Sequence, residues 1–88
     1  MQNISERLNV IADLADKNSD LSRMQQTISA VRYLIKGAIY ELPLLKELDT
    51  ELSIWQSKLA VILNEPAGRK GMAKHARFWS EKLREIHV

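Results

Sequence analysis

The stretch Leu21-Ser-Arg-Met-Gln-Gln-Thr-Ile-Ser-Ala-Val-Arg-Tyr-Leu-Ile-Lys-Gly-Ala-Ile-Tyr-Glu-Leu42 decides the fold. Within it Leu21, Met24, Ile28, Val31, Ile35, Ala38 and Leu42 follow one another at steps of three and four. An α-helix brings such steps back to one side, so these residues form a continuous apolar stripe. A second stripe runs opposite the first: Ala30, Tyr33, Gly37 and Tyr40, in line with Gln26. Small residues let another backbone approach, and tyrosine contributes area with one polar end. The pattern therefore predicts a helix with neighbours on both sides. The second contact could be another helix, a second subunit or a partner. The plainer alternative leaves both tyrosines flat on the surface, as exposed apolar area commonly is.

The same spacing recurs outward in both directions. Toward the N-terminus, Ile4, Leu8, Ile11 and Ala15 make a stripe with Leu14 beside it. Asn3 and Glu6 have the spacing of a capping box, which predicts a start at Asn3. Asp13 and Lys17 stand four apart in the favourable order. The polar run Lys17-Asn18-Ser19-Asp20 ends this helix and supplies Ser19 or Asp20 as cap of the next. Toward the C-terminus, Pro43 cannot continue a helix without losing a hydrogen bond and clashing with the previous turn. It predicts either one bent rod or, preferably, a reversal with Pro43 in the first turn of a new helix. Leu45, Leu48, Leu52, Trp55, Leu59 and Ile62 form the next stripe, with Ile54 and Val61 off it. Asn64-Glu65-Pro66-Ala67-Gly68 carries the strongest turn signal. Met72, Ala76, Trp79, Leu83 and Ile86 make the last stripe, with Phe78 alongside.

No stretch alternates with the two-residue period of a strand. The expectation is all-α: a small up-and-down bundle of three to four amphipathic helices, which dimerisation could complete. The 88 residues make one domain, with helices over about 3–17, 20–42, 44–63 and 69–86. A core this small is marginal, and no cysteine staples it. The missing cysteines exclude thiolate metal sites and fit a reducing compartment. The N-terminus shows no basic segment followed by an apolar one, and the longest aliphatic run, Leu59 to Leu63, is far too short for a bilayer. A cytoplasmic protein is expected.

Few residues here suggest chemistry. The histidines, His75 and His87, stand twelve apart, without the close helical spacing that joins two ligands, so no metal site is expected. Glu47, Asp49 and Glu51 could do acid–base work only if burial pushed their pKa values apart, and they lie off the stripe, as a solvated face would. Asp13, Asp16 and Asp20 read the same way. No serine sits in an elbow that would expose a nucleophile. Neither an enzyme nor a cofactor is expected.

Charge is uneven. Residues 1–68 hold seven Lys/Arg and nine Asp/Glu; residues 69–88 hold six Lys/Arg and two Glu. Arg69, Lys70, Lys74 and Arg77 cluster around a helix start, where positive charge opposes the macrodipole. A bound anion, either a nucleic-acid phosphate or a partner carboxylate, would resolve that conflict. A solvated loop is the plainer account. Two expectations result. The first is a non-catalytic protein–protein interaction module, an adaptor, inhibitor or regulator, working as a homodimer or with another protein through Ala30, Tyr33, Gly37, Tyr40, Ile54 and Val61. The alternative is a nucleic-acid-binding protein using Arg69, Lys70, Lys74 and Arg77.

Overall fold

The computed structural model describes residues 2–17 and 20–85. Its elements are α1 (Gln2–Asp16), α2 (Leu21–Ala38), α3 (Leu45–Ser57), α4 (Leu59–Asn64) and α5 (Pro66–Arg84), with no strand among the described residues. Helix α1 lies against α5 along most of its length and against α2 on its other flank. Helix α2 meets α3 and α4, and α4 returns to α5. The result is a closed ring of four rods, one of them bent. Its radius of gyration, 12.2 Å, matches the value of about 12 Å for a compact chain of this length.

The stripes become the core. Met24, Ile28, Val31 and Ile35 of α2 are fully buried, as are Leu8, Ile11 and Ala15 of α1. Leu45, Leu48, Leu52, Trp55 and Leu59 join them from the third rod, and Met72, Ala76, Trp79 and Leu83 from α5. Each large aliphatic side chain so placed contributes about 1.5–3 kcal/mol of burial. The ends of the central stripe are weaker. Leu21 is 41% exposed, while Ala38 and Leu42 are half-buried against the core. Ile86 and Ser19 lie outside the described residues.

The caps and breaks explain the boundaries. Asp20 is the N-cap of α2, its Oδ1 accepting from the Arg23 N–H at 2.7 Å. Asn3 caps nothing; α1 is already helical at Gln2, and Asn3 sits exposed in its first turn. Asp13 turns toward Arg77 of α5, at 3.7 Å. Helix α2 stops at Ala38, four residues short of Leu42, and the chain reverses through Pro43. Short bonds from the Leu45, Lys46 and Glu47 N–H groups to the carbonyls three residues back lead into α3. Pro43 needs no N–H there, so the proline costs nothing.

The expected single helix over 44–63 is divided at Lys58, whose φ of −116° and ψ of 17° leave the helical region. Its N–H still reaches the Ile54 carbonyl at 3.1 Å, and its own carbonyl accepts from Ile62 at 3.0 Å. The rod therefore bends without losing register, Leu59 stays in the core, and α4 swings against α5. The turn before α5 is shorter than its composition suggests. Only Glu65 separates α4 from α5, and Pro66 opens the helix at a position where a missing N–H is harmless.

Two buried serines escaped the apolar pattern. Ser5 of α1 and Ser80 of α5 lie 2.8 Å apart, Oγ to Oγ, and each Oγ is 2.9 Å from the other residue's carbonyl. Two hydroxyl protons serve these three contacts, and the pair locks α1 antiparallel to α5. In that register Ala12 falls level with Ala73, so small residues line the seam on both sides, all buried.

Candidate functional site

The outer face of α2 points away from the core. Tyr33 is 79% exposed and Tyr40 93%, the latter in the turn beyond the helix end. Gly37 lies between them, and a Cβ built on it meets nothing within 4 Å. Ala30 is half-buried. Among the described residues nothing covers Tyr33 or Tyr40. Ile54 on α3 and Val61 on α4 are 50% and 66% exposed. Ala30, Tyr33 and Gly37 thus lie on α2 with Tyr40 in the turn just beyond it, while Ile54 and Val61 belong to α3 and α4.

Half of the basic segment is used internally. Gly68 to Gly71 belong to the first turns of α5 and form no loop. A Cβ at Gly68 would stand 2.6 Å from the Ile62 carbonyl oxygen, so glycine is needed there for backbone to meet backbone. Pro66 has no N–H, and that of Arg69 already donates to the Glu65 carbonyl at 3.0 Å. Arg69 also reaches back: its guanidinium donates to the Leu63 carbonyl at 2.9 Å, capping α4. Its charge opposes the α5 dipole but favours the C-terminal end of α4, which lies within reach. Arg77 is held by Asp16 and Asp13 of α1. The Asp16 hydrogen bond raises its pKa above the ordinary value, the two carboxylate charges adding to this and desolvation opposing it. Lys70 and Lys74 are exposed. Two of the four expected anion ligands therefore satisfy carbonyl or carboxylate groups of the chain itself.

The acidic residues are likewise not a merely solvated face. Asp49 accepts from the Arg32 Nε at 2.9 Å, and Arg32 donates onward to Gln56 at 2.7 Å, pinning α2 to α3. Glu51 takes two partners from α5: the Trp79 indole N–H donates to Oε2 at 2.7 Å, and His75 Nδ1 lies 3.0 Å from Oε1. A tryptophan 5% exposed needs a partner for its indole N–H, and Glu51 supplies it from another helix.

Around this bridge α3 and α5 do not close on one another. A groove of about 400 Å³ opens between them, lined by Glu51, Lys74, His75, Phe78 and Trp79 and walled mostly by carbon. Phe78 is 56% exposed and meets Trp79 edge-to-face, with centroids 6.1 Å apart. The Lys82 ammonium stands 5.6 Å from the Phe78 ring centre and 5.2 Å from that of Trp79.

Among the described residues no three His, Asp or Glu side chains gather as a metal site would require, and no helix is long and apolar enough to cross a membrane. No protein-family model, curated protein or solved structure matches the chain.

Proposed function

We propose that this chain is a non-catalytic protein–protein interaction module of the cytoplasm that pairs with a second copy of itself through the outer face of α2. The observation that carries the reading is the line Tyr33, Gly37, Tyr40: two aromatic side chains 79% and 93% exposed, flanking a glycine with open space above it. Aromatic residues are enriched at interfaces, and a two-fold dimer is the commonest way to cover such a face. The cysteine-free sequence supports the cytoplasmic part of the proposal.

Light scattering after size exclusion at micromolar concentration tests it. A dimer is expected for the wild type and a monomer for Gly37→Arg. The arginine blocks close approach, and its Cβ meets nothing within 4 Å, so the helical signal persists. A wild type that stays monomeric, or a Gly37→Arg variant that still pairs, overturns the reading.

A further inference from the structure

We infer that the groove between α3 and α5 is a second binding site, which takes an acidic amphipathic peptide segment. It lies on elements other than the outer face of α2, so it stands or falls independently of the dimer. Shape is the first argument. The groove is concave and walled by carbon, with a half-exposed Phe78 on its rim and Trp79 within. That form receives apolar side chains projecting from one face of a helix. A bilayer would need a convex apolar surface, and Trp79 is tied down by Glu51 and cannot insert.

Charge is the second argument. Lys74 and His75 line the groove, and Lys82 stands over both rings. Among the described lining residues the one carboxylate, Glu51, accepts from the Trp79 indole and lies beside His75. Among the described residues neither lysine is in an ion pair, and the two ammonium groups outnumber the Glu51 carboxylate, so an occupant bringing carboxylates beside its apolar anchors meets a net positive rim. Opposite charge at the rim also selects against basic segments.

The test uses a capped peptide with leucines at positions i, i+3, i+4 and i+7 and glutamates between them. Its controls are the same peptide with lysines for the glutamates, and anionic phosphatidylglycerol vesicles. Titration calorimetry with amide chemical-shift mapping is expected to show saturable binding of the acidic peptide, with shifts centred on Glu51 and residues 74–82. Phe78→Ala is expected to weaken binding by about tenfold or more, as loss of an aromatic anchor does. The double variant Lys74→Glu, Lys82→Glu is expected to prefer the lysine peptide. Absence of binding, equal affinity for both peptides, shifts centred on Tyr33 and Tyr40, or Phe78-dependent binding to vesicles without binding to the peptide would each overturn the inference.

Discussion

The two flanks of α5 are built on opposite plans. Toward α1 it presents Ala73, Ala76 and Ser80, and α1 answers with Ser5 and Ala12; the helices lie close and the serine hydroxyls bond across the seam. Toward α3 it presents His75, Phe78 and Lys82, and the junction is bridged by the Glu51 carboxylate with a groove beside it. Helix separation follows the size of the side chains at the contact. A helix can thus be sealed on one side and left receptive on the other by changing only which residue sizes face each neighbour.

The sharpest way to break the contrast is to overfill the sealed side. Ala73→Leu forces several carbons into a close-packed seam and is expected to cost on the order of 2–3 kcal/mol, seen as a lower urea midpoint. A smaller effect is expected at the serine pair. Ser80→Ala should cost about 1 kcal/mol by leaving Ser5 with a reduced set of partners. Adding Ser5→Ala should cost about as much again, because it removes the remaining bond to the residue 80 carbonyl, and a double-mutant cycle reads the coupling of the two hydroxyls. On the receptive side Phe78→Ala should change stability by less than about 0.5 kcal/mol, since the ring is mostly in water. A large loss there would mean that the groove wall supports the fold, and the contrast would fail.

The legible part of the sequence was what a regular period can carry. Leu45, Leu48, Leu52, Trp55 and Leu59 are spaced as one helix face, and they are one buried face. Pro43 marked a reversal because its constraint is local. The boundary at Lys58 had no such mark, since no glycine or proline stands there and the hydrogen-bond ladder continues through it. Ser5 and Ser80 were illegible for a different reason. A serine reads as polar in isolation, and only the partner 75 residues away removes the cost of burying it. Glu51 likewise looked solvated beside Glu47 and Asp49 until Trp79 arrived from another helix.

The basic cluster is the most instructive case. Along the chain, Arg69 and Arg77 look like charges set against a helix dipole and in want of an anion. In the fold Arg69 caps the preceding helix and Arg77 answers two aspartates of α1. The sequence by itself determined that the chain is all-helical and which stripe of each helix is buried, because both depend on neighbours three and four residues apart. Which charges are spent inside the molecule, which flank of α5 is sealed and where a groove remains were decided only by the tertiary structure. Those outcomes depend on groups brought together from distant parts of the chain, and local spacing carries no record of them.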